Sequence, residues 1–333
     1  HVVCPGRDSD QTPTSRSDQT QTSTSNLRPT PFMCFFTTVE DTSPCSVMKS
    51  LPALVRRPEV KMGDLLGMGS FGKVHSCEVD GVAAVCKSLV YFTKDAQSMF
   101  ERECRILKEL KEGPNIIQIL HLEYTEGILE RIFLTYGGMD LFTVSTERRP
   151  FLHKVLPHVL LGMLTGAAFM HSRLVYHRDI KLENLTVDDY GTVHYIDLGL
   201  AVQASSPFEK FFNQCGSTSY VAPEMVEKKH YLGAQADSWS IGVAMFALLS
   251  EFFPFKCAGR EDWRFQEVCK FQSGGTGDGT MEIITRWYPD RRFPPSGCNS
   301  LVRWLVDGFL TVTPWKRRTV QEAFEEMKSR NLC

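Results

Sequence analysis

The chain has 333 residues, enough at about 150 residues per domain for roughly two compact units with a sizeable core. Apolar residues make up 42% and charged residues 23%, ordinary globular usage that excludes collagen-like, wholly disordered and disulfide-scaffold classes. Thirty-seven Lys and Arg against 39 Asp and Glu give a net charge of −2, which excludes a general nucleic-acid binder and confines any phosphate chemistry to a local site.

In chain order, the first residue is His1 rather than Met, which reads as a fragment or a processed product, and no apolar run of signal-peptide type follows it. Residues 8–31 are dominated by Ser, Thr, Gln, Asp and Pro and have little to bury, so a disordered tail is expected over 1–55. From about Pro58 short β-branched runs alternate with glycine: Leu65-Leu66, then Lys73 to Val79, then Val82 to Val90, a small antiparallel sheet. Gln97 to Leu110 has helical periodicity, with Phe100, Leu107 and Leu110 on one stripe. Beyond Asp140 the pattern is mainly helical, over 153–172, 234–252, 299–310 and 319–330, with short extended runs at 185–187 and 193–196. The most apolar stretch, Val155 to Met170, is 16 residues long and contains Pro157, which predicts a buried helix rather than a membrane span of about 20 residues. Residues 272–280 are rich in Gly and predict a flexible loop. A β-rich part followed by an α-rich part predicts an α+β chain with two lobes. The 11 cysteines are odd in number and form no Cys-x-x-Cys pair, so neither a zinc site nor a disulfide framework is indicated and an intracellular compartment, cytoplasmic or nuclear, is expected.

Three segments carry chemistry. The first is Gly67-Met68-Gly69-Ser70-Phe71-Gly72-Lys73-Val74, lying between two strands rather than between a strand and a helix, which argues against a dinucleotide site. Glycines there let a hairpin bring its N–H groups close to phosphates, although an ordinary Gly-rich hairpin has the same composition. The second is Lys87, 15 residues after Gly72, which strand alternation puts on the apolar face of Val85 and Leu89. Either its stem packs while the ammonium reaches water, or it meets an anion. Glu103, inside the apolar stripe of the helix, is costly to bury alone and is the available partner; paired, the two would hold the ammonium over the phosphates of a nucleotide. The third is His177-Arg178-Asp179-Ile180-Lys181-Leu182-Glu183-Asn184, followed 13 residues later by Asp197-Leu198-Gly199.

Together with Ala222-Pro223-Glu224 and Asp237-Ser238-Trp239-Ser240-Ile241-Gly242, this ordered set resembles the eukaryotic protein kinase family, Ser/Thr type, across residues 58–330. The resemblance implies a β-rich lobe over 58–136 and a mainly helical lobe over 139–330, with ATP and Mg²⁺ between them. It implies that Asp179 accepts or orients the substrate hydroxyl, that Lys181 stands near the transferring phosphate, and that Lys87 and Glu103 act as a pair. Asn184 and Asp197 would supply the oxygen ligands that Mg²⁺ prefers. Gly67, Gly69, Ser70, Phe71, Gly72, Val74, Val85 and Lys87 would contact the nucleotide, with either Phe133 or Leu134 guarding the back of its pocket. The implied partners are protein substrates with Ser or Thr acceptors, with no nucleic acid or membrane expected; the oligomeric state is unknown and a monomer is assumed, and a pseudokinase scaffold is the alternative. Gly216-Ser217-Thr218-Ser219-Tyr220 resembles the substrate-docking segment of such kinases, with Ser217 where they usually carry Thr; Glu224 is expected to pair with Arg317, and Asp237 to anchor the catalytic loop. Trp239, Trp304 and Trp315 are expected in the core or at helix contacts. Asn213 stands where related kinases often carry a phosphorylated Thr, so activity without phosphate there is expected; Glu209 reads first as a solvated surface glutamate and second as a substitute anion for Arg178.

Overall fold

The computed structural model describes residues 56–68, 72–90, 93–274, 280–287 and 300–330. The tail expected over 1–55, the glycine-loop residues Gly69, Ser70 and Phe71, and loop residues 275–279 lie outside the described residues.

The first lobe is a five-stranded sheet in the order β1-β2-β3-β5-β4, antiparallel throughout. Strands β1 (Val60–Met68), β2 (Gly72–Val79) and β3 (Val82–Leu89) follow the β-branched runs. Asp80-Gly81 joins β2 to β3 with positive φ at both residues (49° and 78°), the backbone that a two-residue hairpin demands. Helix α1 (Lys94–Glu109) begins three residues before the expected Gln97, because the Thr93 hydroxyl accepts from Ala96 N at 3.3 Å and caps it. Strands β4 (Ile119–Thr125) and β5 (Ile128–Thr135), not read individually from the sequence, turn at Glu126-Gly127, again with positive φ at both residues. Alternation divides the sheet. Leu89, Ile132 and Leu134 join the main core with α1, whereas Cys77, Val79, Ala84, Cys86 and Phe133 form a second cluster.

The second lobe starts with β6 (Met139–Asp140), α2 (Leu141–Glu147) and α3 (Arg149–Ser172). Helix α3 starts earlier than the expected residue 153, with Pro150 in its first turn, where proline's fixed φ suits a helix start. At 24 residues it is long and apolar enough to cross a membrane by length and composition, unlike the 16-residue stretch read from the sequence. Its apolar residues, among them Leu152, Val159, Met163 and Met170, are buried in the main core cluster, which also holds Leu89, Ile132, Leu134 and α1 of the first lobe. Short strands follow, β7 (Val175–Tyr176), β8 (Leu185–Val187), β9 (Val193–Tyr195), β10 (Val202–Gln203) and β11 (Lys210–Phe211), and then α4 (Pro223–Val226) and β12 (Tyr231–Leu232). Helix α5 (Gly233–Ser250) is buried on nearly every face, as a helix apolar all round must be. The chain ends with α6 (Trp263–Gly274), α7 (Thr280–Trp287), α8 (Ser300–Phe309) and α9 (Val320–Ser329). Of the Gly-rich segment expected to be a loop, residues 272–274 close α6 and Thr280 opens α7. Trp239 is fully buried, but Trp315 is 79% exposed and is not a core residue, because the chain turns on Pro314 there and buries Arg317 instead.

The two lobes meet through Tyr136-Gly137-Gly138 and through a bridge in which Tyr195 N donates to Asn115 O at 2.8 Å and Ile117 N to Tyr195 O at 3.1 Å. Gly138 has φ 92°, and a Cβ there would collide with the Val187 carbonyl, so the crossing requires glycine. This junction brings β3 and α1 of one lobe over the loops that flank β8 and β9 of the other.

Candidate active site

Lys87 and Glu103 meet as their faces require. The ammonium is 2.8 Å from Glu103 Oε1 and 2.6 Å from Oε2, and 2.9 Å from Asp197 Oδ1. Burial disfavours the charged form of Lys87, but the two carboxylates outweigh it and raise its pKa, so the ammonium keeps its proton. Burial raises the pKa of Glu103, an effect that Lys87 offsets only in part, whereas Lys87 holds the Asp197 carboxyl below its ordinary range. Asp197 stands in the left-handed region at φ 56° with its side chain 51% exposed, and Leu198 beside it is fully buried. The strained residue is thus anchored by an apolar neighbour while its carboxylate faces the cleft.

The loop before β8 is built on Asp237 of α5. This fully buried carboxylate accepts from the backbone N–H groups of His177 and Arg178, both at 2.8 Å, and lies 3.0 Å from His171 Nε2. Arg178 adopts φ 63°, which turns the chain at the residue before Asp179. The His177 ring is fixed at both nitrogens: Nδ1 accepts from Asp179 N at 3.3 Å and Nε2 donates to Ile196 O at 3.2 Å.

Asp179 is buried and held at both carboxylate oxygens. Oδ1 accepts from Ser217 N at 2.8 Å and Ser217 Oγ at 2.9 Å, while Oδ2 lies 3.0 Å from Lys181 Nζ and 3.2 Å from Asn184 Nδ2. Lys181 Nζ also donates to Ser217 Oγ at 3.0 Å, which ties loop and docking segment into one network. Asn184 donates its amide to the Asp179 carbonyl as well, at 3.0 Å, so its oxygen is the end left for a cation. That oxygen and the Asp197 carboxylate are hard donors of the kind Mg²⁺ takes, and the Ile196 N–H to Asn184 O bond of 3.0 Å keeps the two segments adjacent. The residues present therefore fit a magnesium nucleotide.

On the sheet side, Val74 pairs with Lys87 and Val85 with Leu134, placing all four on one face. Leu134, not Phe133, shares the face of Lys87; Phe133 packs on the opposite face with Cys86 and 5.7 Å from the His121 ring. Gly67 has open space where a Cβ would stand, and a Cβ at Gly72 would lie 2.7 Å from Ser88 O, so Gly72 is the glycine that the neighbouring strand requires.

Two further placements differ from the sequence reading or extend it. Glu209 is not beside Arg178: its carboxylate accepts from Ser205 N at 2.7 Å and Ser205 Oγ at 2.6 Å, because a local turn offers it two donors four residues away. Tyr220, given no role of its own in the sequence reading of the docking segment, accepts from Leu182 N at 3.3 Å and donates to Glu183 Oε2 at 3.2 Å, a second tie between that segment and the loop. Its signal was an aromatic hydroxyl in an otherwise small-residue segment, Gly216-Ser217-Thr218-Ser219.

Residues 60–327 match the family model of the protein kinase domain. CBL-interacting serine/threonine-protein kinase 13 of Arabidopsis thaliana is 34% identical over 203 residues, covering 59% of this chain and 40% of that protein. CBL-interacting protein kinase 10 of Oryza sativa subsp. japonica is 29% identical over 280 residues, 82% of this chain and 57% of that protein. Serine/threonine protein kinase OSK3 of Oryza sativa subsp. indica is 31% identical over 269 residues, 79% and 49% respectively. The chain spans about half the length of the curated relatives it matches.

Proposed function

Because the chain belongs to the protein kinase domain family, we propose that it transfers the γ-phosphate of ATP to Ser and Thr hydroxyls of protein substrates. The observation that carries the reading is the Asp179 network, in which Ser217, Lys181 and Asn184 fix both carboxylate oxygens beside the Lys87–Glu103 pair and Asp197. Phosphoryl transfer asks a protein mainly for positioning and charge neutralisation, and these residues supply both. Asp179 accepts the proton of the acceptor hydroxyl as the new oxygen–phosphorus bond forms and the bond to the β–γ bridging oxygen breaks. Lys181 neutralises charge on the transferred group, and its bond to Ser217 Oγ couples that role to the docking segment. Lys87 orients the nucleotide phosphates, with Glu103 holding its ammonium in place. Asn184 and Asp197 would hold Mg²⁺, which when bound offsets the charge of the phosphates. Adenine would lie between Val74 and Val85 and the backbone of 135–137, with Leu134 at the back of the pocket. The free thiols of Cys77, Cys86 and Cys104 accord with a reducing, intracellular setting.

Labelled transfer from Mg-ATP to a mixture of acidic, basic and neutral proteins tests the reading. The native chain is expected to label Ser and Thr, and Lys87→Met to cut the rate about a hundredfold, the scale of one preorganised electrostatic contact. ATP binding with no transfer by the native chain, across metals and substrates, would replace the enzyme reading by that of a scaffold.

A further inference from the structure

The residues from Asp197 to Glu224 lie against the catalytic loop, and Arg178 joins the two. Its Nε donates to Leu200 O at 2.9 Å, its Nη1 donates to the Tyr231 hydroxyl at 3.4 Å, and its Cζ lies 5.6 Å from the centre of the Phe211 ring. Among the described residues no carboxylate is within ion-pair distance of this guanidinium. All its partners are neutral.

Those partners are themselves fixed. The β11–β12 pairing sets Phe211 opposite Tyr231, with ring centres 5.9 Å apart, and Tyr176 of β7 packs edge-on to Phe211 at 6.2 Å and 70°. The Tyr231 hydroxyl donates to Asn213 O at 3.0 Å. Burial pushes the Tyr231 phenol up to about 12, so the proton it donates is retained through the physiological range. A relay therefore runs from Arg178 through Tyr231 to the backbone of residue 213, the position that carries an amide in this chain and no hydroxyl to phosphorylate.

We propose that Tyr231 and Phe211 are positioning residues that hold Arg178, and through it residues 197–224, in the arrangement Asp179 needs, so that this segment is ordered without phosphate. The proposal rests on the phosphotransferase reading. A hydrogen bond to a guanidinium and a cation–π contact each shift a two-state equilibrium by about tenfold, enough together to keep the ordered form dominant. Tyr231→Phe keeps the ring and its packing and removes only the relay. Phe211→Leu keeps apolar bulk and removes the face under Arg178, and Phe211→Tyr restores it.

The test uses the full chain after treatment with a broad-specificity phosphatase, with intact mass confirming removal of phosphate. The expected result is transfer within twofold of the untreated chain, and slow amide exchange over 205–217. Tyr231→Phe and Phe211→Leu are each expected to lower kcat about tenfold with the KM for ATP unchanged, and to speed exchange over 205–217 about tenfold, whereas Phe211→Tyr returns both to native values. Loss of activity on dephosphorylation, or Tyr231→Phe with native kcat and exchange, overturns the proposal. Exchange is read without catalysis, so a native chain that transfers nothing counts against the functional reading, while the exchange of the variants still decides this one.

Discussion

Replacing Asp179 by Asn is expected to lower kcat by roughly 10²–10⁴, the contribution of a positioned general base, with the far-ultraviolet spectrum unchanged. The substitution is isosteric, so the loop anchored on Asp237 has no reason to move. Its chemistry, however, fails at both oxygens. Asn can keep one acceptor toward the Ser217 N–H and Oγ, but its amide then faces the Lys181 ammonium and the Asn184 amide, three donors with no acceptor among them. The proton-accepting charge is lost, and Lys181 is released from its position. Steady-state rates at saturating Mg-ATP decide the matter. A fall of less than tenfold would mean that Asp179 only supports the loop.

Much of this site was legible because its chemistry is written in side chains that are expensive to bury. Glu103 in an apolar stripe and Lys87 on an apolar strand face each had reason to find a partner, and they meet at 2.6 Å, whereas periodicity gave no sign of Asp197 as the second carboxylate on that ammonium. Asp237 and Arg317 were placed by resemblance, and their many hydrogen bonds give the physical reason those residue types stand there. What the sequence hid was local or neutral. Helix α2 reads Leu141-Phe142-Thr143-Val144-Ser145-Thr146-Glu147, with β-branched and hydroxyl residues of poor helix propensity, and forms because the Asp140 side chain accepts from Thr143 N at 2.9 Å at its start. Glu209 is the surface glutamate of the first reading, and an exposed carboxylate takes the nearest donors, here Ser205, rather than a distant guanidinium. The partners Arg178 does have, a ring face and a phenol, carry no formal charge for a sequence pattern to match.

Arg317→Met is expected to remove about 3–5 kcal/mol of stability, the cost of leaving one member of a buried ion pair alone. At about 2–4 °C per kcal/mol for a domain of this order of size, the melting temperature should fall by roughly 6–20 °C. The Arg317 side chain is fully buried and donates bidentately to Glu224 at 2.7 and 3.0 Å. It also donates to the carbonyls of Thr311 at 2.9 Å, Gln235 at 2.8 Å and Val312 at 3.2 Å, and its guanidinium carbon lies 5.0 Å from the Trp239 ring. Met fills similar volume, so the loss is polar: a carboxylate and three carbonyls lose donors in a place water does not reach. Glu224 lies in the first turn of α4 and closes the segment that begins at Asp197, so the freed charge acts where the docking segment is fixed to α5 and to the loop before α9. Pairing the change with Glu224→Gln removes the stranded charge and should recover about half of the loss, a coupling that urea denaturation of both singles and the double measures directly. A single-variant loss below about 1 kcal/mol would place the stability of this corner in the Trp239 packing instead. The distinction matters for activity as well, because a segment loosened at Glu224 is free at one end, and the network that fixes Asp179 through Ser217 begins only seven residues before it.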